Sequence, residues 1–281
     1  MTTATTHYSA LRYWNVPLAH RYFAKEIEQA GAKQLTAYGS PEELRRIRSP
    51  VSQCTQPLPP RSLIRTSDGV FVSLEMLYVQ LAATLDIWQT IILGDLLCAF
   101  PAGVYSRPQV TPRQLREYAR QAKGMYGRRQ ALRALQYVKP NANSCQEVFV
   151  DLFIALPHAL GGLGIKGGCF NHEVILTDAE AAAMRADRFY IDYCFPDAKI
   201  AYEYQGRHHD NTTDRDTRRN LALSRLGYQL VPVTRSILYV PNQLSLFLQQ
   251  VTNIHRIRLQ IRCDQYERGL HRIHELLPRH L

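Results

Sequence analysis

Cysteine pairs at metal-binding or disulfide-framework spacing are missing from this chain. Its six cysteines, Cys54, Cys98, Cys145, Cys169, Cys194 and Cys263, stand 24 to 69 residues apart and form no C-x-x-C. That excludes a zinc ribbon or a small disulfide scaffold and reads as thiols kept in a reducing compartment. Long apolar runs are missing too. The most apolar stretch, Phe71 to Phe100, is interrupted by Glu75, Asp86 and Asp95, and its longest uncharged run is Met76 to Leu85. A bilayer span needs about 20 apolar residues. The first residues, MTTATTHYSALRYW, lack the basic cluster and apolar core of a signal peptide. The expectation is a soluble, cytoplasmic protein with no membrane partner.

Some catalytic patterns are absent as well. No G-x-S-x-G elbow positions a serine, and His255, His271, His274 and His280 lack the partners of a zinc site. The run Gly161 to Gly168 contains a formal G-x-G-x-x-G, but it follows a helical pattern rather than a strand. It therefore reads as a flexible turn and not as a dinucleotide site. His208-His209-Asp210 reads first as surface, and Asp210, Asp214 and Asp216 as solvated acids at a helix start.

Acidic residues are scarce in one place. The chain carries 34 Lys+Arg against 24 Asp+Glu, a formal charge of +10. Between Arg107 and Lys139 stand Arg107, Arg113, Arg116, Arg120, Lys123, Arg128, Arg129, Arg133 and Lys139, with Glu117 as the only acid. One reading is a solvated helix face. The other is a phosphate-facing surface, with Arg128, Arg129 and Arg133 as its contacts to nucleic acid.

Apolar residues make up 46% and charged residues 21% of the chain, enough for folded cores. Ser40-Pro41-Glu42-Glu43 predicts a capping box and a short helix. Ser49 to Pro60 reads as an extended connector. Leu74 to Ala99 predicts a helix broken near Asp86, and Thr111 to Leu135 a basic helical region begun by Thr-Pro. Lys139-Pro140-Asn141-Ala142-Asn143 is a breaker cluster and the candidate boundary. Beyond it, Ser144 caps a helix expected to run to about Leu160. Arg188–Phe195 and Lys199–Gln205 predict a hairpin around Pro196-Asp197-Ala198. Asp216 to Leu226 predicts a helix stopped by Gly227, Tyr228–Val233 a strand, and the rest helices.

On the predicted hairpin, Glu203 and Gln205 lie two apart and share a face, whereas Tyr202 and Tyr204 take the other. Antiparallel pairing brings Asp192 toward Glu203. By pattern alone these acids suit the polar side of a half-buried sheet; they also suit a hard-oxygen site for Mg²⁺. The tyrosines of these strands read as sheet packing.

The ordered string I-D-x10-E-x-Q-G-x-x-H, then an arginine-rich helix and a strand, resembles the PD-(D/E)XK nuclease superfamily. Within it the similarity is to the very-short-patch-repair-like endonuclease branch, including bacterial domains often fused to antitoxin-type N-terminal regions. The resemblance covers about Ser144 to Ile237. It implies an α/β fold there, a restriction-endonuclease-like mixed sheet flanked by helices (144–240); the residue pattern sets an α-rich basic N-terminal region (1–140) before it and a helical extension (241–281) after it. It implies Asp192, Glu203 and Glu147 as ligands of Mg²⁺, with Mn²⁺ as substitute, and Gln205 in the place of the signature lysine. His209 would stand at the rim, and Arg218 or Arg219 would hold a phosphate or the Asp216 side chain. The implied function is metal-dependent hydrolysis of DNA in a bacterial defence setting. The alternative is a nuclease-fold regulator that binds DNA without cutting it, with a protein partner or a second copy engaged through the N-terminal region. A neutral amide at Gln205 positions water but brings no positive charge, so both remain open.

Overall fold

A computed structural model describes residues 1–31, 33–47, 50–184, 186–205, 213–258 and 264–279. The chain divides into two compact units, Met1–Pro140 and Asn141–Arg279, and the division falls inside the Lys139–Asn143 breaker cluster. Both units combine helices with a mixed sheet, so the fold is α/β.

The first unit opens with β1 (Thr2–Thr5), α1 (His7–Trp14), α2 (Pro17–Tyr22) and α3 (Ala24–Gln29). It continues with β2 (Leu35–Tyr38), α4 (Pro41–Leu44), β3 (Ser52–Cys54), β4 (Leu63–Thr66) and β5 (Gly69–Val72). Four helices close it: α5 (Leu74–Leu81), α6 (Ile87–Leu97), α7 (Pro112–Gln121) and α8 (Arg128–Ala134). The strands form one sheet in the order β3-β2-β1-β5-β4, which the residue pattern of an α-rich region did not foretell. Strands of three or four residues carry too little alternation to be read. Helices α5 and α6 form the core, with Met76, Leu77, Ile91, Ile92 and Leu96 fully buried.

The helix starts follow from side-chain caps. Ser40 Oγ accepts from Glu43 N while Glu43 accepts from Ser40 N, and Asp86 and Thr111 make the same box with Gln89 and Gln114. Asp86 therefore divides α5 from α6 by starting the second helix.

The second unit runs α9 (Cys145–Ala155), β6 (Cys169–Ile175), α10 (Asp178–Met184), β7 (Arg188–Phe195) and β8 (Ile200–Gln205). Then come α11 (Thr213–Arg225), β9 (Gln229–Thr234), α12 (Arg235–Tyr239), α13 (Pro241–Ile254) and α14 (Asp264–Glu275). The sheet order is β6-β7-β8-β9; the first three strands meander antiparallel, and β9 lies parallel to β8. Ile191, Cys194, Ala201, Ala222 and Leu223 join sheet and α11 in one apolar cluster. Tyr193 and Tyr202 are buried sheet residues, whereas the Tyr190 hydroxyl donates to Glu173 at the surface (3.1 Å).

Two expectations need correction. The helix begun by Ser144 ends at Ala155, and only a short 3-10 turn, His158–Leu160, follows. The start of the glycine run after it is a packed crossing, while Gly167 has open space where a side chain would stand. Gly161, at φ +86°, leaves no room for a side chain: a Cβ would fall 2.1 Å from Leu270 N and 2.2 Å from Gly269 C of α14. At Gly162 a Cβ would meet Leu156 O at 2.2 Å. In the helical extension after residue 240, α14 lies backbone to backbone against Gly161 of the second unit. Among the described residues, no helix is long and apolar enough to cross a membrane.

A candidate acidic site at the centre of the second sheet

Asp192 lies where the sheet opens on both sides. Toward β6, pairing holds at Phe170↔Tyr193 and His172↔Ile191 but lapses between them, at Asn171 and Asp192. Asn171 there adopts a left-handed backbone, φ +46°, a conformation that asparagine tolerates. Toward β8, the ladder ends at Tyr193↔Tyr202, one step short of Asp192 and Glu203. Continuing that register puts Asp192 across from Glu203, as strand parity requires. Instead of a ladder bond, Tyr204 N donates to Asp192 Oδ2 (2.9 Å).

Glu147 comes from the first turn of α9, whose Ser144 hydroxyl accepts from Glu147 N (3.2 Å). It is only 4% exposed. Its Oε2 accepts from Asn143 N (2.9 Å) and from Asn171 Nδ2 (2.8 Å), and the same Asn171 amide also donates to Asn141 O (2.8 Å). Burial, reinforced by the negative charge of Asp192, raises the Glu147 carboxyl well above its ordinary range. The neutral donors oppose that shift without cancelling it. Asn171, which positions one carboxyl and interrupts the strand beside the other, was not singled out in the sequence. Nothing in a lone asparagine announces a left-handed strand residue.

Glu203 is engaged elsewhere. Arg219 of α11, which shares the second unit's core, donates to Glu203 Oε1 (2.8 Å) and to Tyr190 O (2.6 Å), with its guanidinium over the Phe189 ring. Both partners are about four-fifths buried, at 21% and 17% side-chain exposure. A buried guanidinium requires a counter-charge, and Glu203 supplies it. The bond to Glu203 is a partner that the sequence did not suggest for Arg219; the Asp216 side chain, its expected partner, lies outside the described residues. Arg218 is exposed on α11, and Gln205 is exposed at the end of β8. His209 lies outside the described residues.

The structure therefore gathers Glu147 with Asp192 and ties Glu203 to Arg219. Among the described residues, no group of three or more His, Cys, Asp or Glu side chains stands close enough to hold a metal ion. The expected trio reduces to a pair. That pair fits a divalent cation by its chemistry: two hard-oxygen donors, one buried, each opposing the other's charge. Mg²⁺ is commonly held by one or two carboxylates and water.

The basic segment of the first unit also sorts itself. Arg128 Nε donates to Ala119 O (3.0 Å) and its Nη2 to Arg120 O (3.3 Å), stapling α8 to the last turn of α7. Arg116 Nη2 donates to Leu135 O (2.6 Å), and Arg113 pairs with Glu117 (2.9 Å). Arg129 and Arg133 are exposed, one turn apart on α8. Of the three arginines expected at phosphates, Arg128 serves the fold. No family model, curated protein or solved structure matches this chain.

Proposed function

We propose that the second unit is a metal-dependent endonuclease hydrolysing phosphodiester bonds in DNA, with Asp192 and Glu147 as the ligands of Mg²⁺ or, in its place, Mn²⁺. The observation that carries this reading is the Glu147–Asp192 pair. A buried carboxyl facing a second carboxyl, with only neutral donors on it, needs a proton or a cation for balance. The order β7, β8, α11, β9 supports the same reading, since the motif string expects a strand hairpin, then an arginine-bearing helix, then a strand.

The chain's own residues divide the work. Asn171 and Asn143 orient Glu147, and Tyr204 N orients Asp192. Gln205 orients a water at the C-terminal end of β8, and exposed Arg218 offers a cation to phosphate. A divalent ion there would supply charge stabilisation and an activated water. Glu203 joins such a site only by exchanging its bond to Arg219. That ion pair and the neutral Gln205 favour the second reading, a nuclease-fold DNA-binding regulator of toxin–antitoxin or defence type that does not cut.

Supercoiled plasmid incubated with Mg²⁺ or Mn²⁺ separates the two. The proposal expects nicking by the wild type, none in EDTA, and loss of nicking in Asp192→Asn with plasmid binding retained. Retention of plasmid without nicking in either metal would establish the regulator. Nicking by Asp192→Asn at the wild-type rate would remove Asp192 from the site.

A further inference from the structure

We infer that the α7–α8 turn of the first unit is a stacking platform for an unpaired polynucleotide strand, with Tyr126 as its ring. This deepens the DNA-binding part of the reading above and does not depend on cleavage. A single exposed apolar side chain is ordinary on any surface. Tyr126 differs in three respects: how far it is exposed, how firmly its backbone is held, and what surrounds it.

The ring is 89% exposed. Yet the turn that carries it is fixed at several points. Gly127, at φ +82°, lies so close to α5 that a Cβ would fall 2.2 Å from Val79 O and 2.6 Å from Ala83 N. Gly124, also at φ +82°, lies against the Gln56 amide. Arg128 ties the far side of the turn to the carbonyls of Ala119 and Arg120. A ring on a held turn loses little conformational freedom when a base stacks on it.

The flanking sequence is cationic. Lys123 and Arg129, three residues before and after Tyr126, are exposed, as is Arg133 one turn along α8, and the segment's only acid, Glu117, is paired with Arg113. Just before that stretch Tyr105 is 84% exposed, two residues from exposed Arg107. Among the described residues, these two tyrosines are the only aromatics among the exposed large apolar side chains, and Glu117 is the only acid between them. Exposed rings interleaved with cations are what single strands use: phosphates meet Lys and Arg, and unstacked bases meet aromatic faces. A paired duplex hides those faces, so it would engage the cations alone.

The test is equilibrium binding of the full chain, in EDTA, to fluorescent single-stranded deoxy- and ribo-oligonucleotides and to the matching duplex. Tyr126→Ala should weaken single-strand binding roughly five- to hundredfold, the range measured for loss of one stacked base. The salt slope and duplex affinity should stay unchanged, and Tyr126→Phe should bind as the wild type. Whichever oligonucleotide shows the Tyr126 dependence identifies the strand. Undiminished single-strand binding by Tyr126→Ala, or equal losses on single strand and duplex, would overturn the inference. So would competition by poly-glutamate as effective as that by oligonucleotide, which would mark an acidic protein surface. Because EDTA removes cleavage, these outcomes are separate from those of the plasmid assay.

Discussion

Three neutral donors and one negative neighbour surround the buried Glu147 carboxyl: the Asn143 amide, the Asn171 side chain, the Ser144 hydroxyl, and Asp192. The balance leaves Glu147 harder to ionise in the folded chain than in the unfolded one. The folded state then binds the extra proton, so stability falls as pH rises above the ordinary value of 4.5 toward the folded value. Glutamine keeps the shape and can accept the same hydrogen bonds without titrating. Glu147→Gln should therefore melt several degrees above wild type at pH 8 in EDTA, with the gap closing below pH 4.5. Equal melting curves at both pH values would show that Asp192 and burial place no strain on Glu147. The strand that carries Asp192 was legible from the sequence because the aromatic and β-branched run around it alternates like one. The pairing of Glu203 with Arg219 was not, since it joins a strand to a helix across a segment whose path no periodicity fixes.

At the level of elements, glycine geometry separates two neighbouring positions. Gly161 combines a left-handed backbone with direct contact to α14, whereas Gly164, at φ +72°, has only the His158 ring near a Cβ, at 3.8 Å. Gly164→Ala should cost about 1 kcal/mol from backbone strain alone. Gly161→Ala adds overpacking and should cost about 3 kcal/mol or more in chemical denaturation. Equal losses would mean that α14 does not bear on Gly161. Helix starts were readable here because a cap is local chemistry: Ser40, Thr111 and Ser144 each declare themselves within four residues. The β7–β8 hairpin was readable because alternation and a Pro-Asp-Ala turn agree. The first unit's sheet was not, because its strands are short and its neighbours in space, such as β1 and β5, lie far apart in sequence. The tight role of Gly161 was hidden because it depends on Gly269, over a hundred residues away.

Across the whole molecule, the surplus of positive charge is only partly free to meet a polyanion. Arg113, Arg116 and Arg128 are spent on Glu117 and on helix carbonyls, and Arg129 and Arg133 remain exposed. Duplex binding by the Arg129→Ala, Arg133→Ala double variant should show a salt slope lower by roughly 1 to 2, near 0.9 per lost phosphate contact. Arg128→Ala should lower thermal stability and leave the slope alone. The reverse pattern would return α8 to the status of a solvated face. The most direct test of the central claim, that Glu147 and Asp192 form a cation site, is calorimetric titration of Mn²⁺ into the full chain without nucleic acid, for wild type and Asp192→Asn. The account predicts one saturable site in the wild type and its loss in Asp192→Asn; identical binding in the two proteins, or none in either, would contradict it.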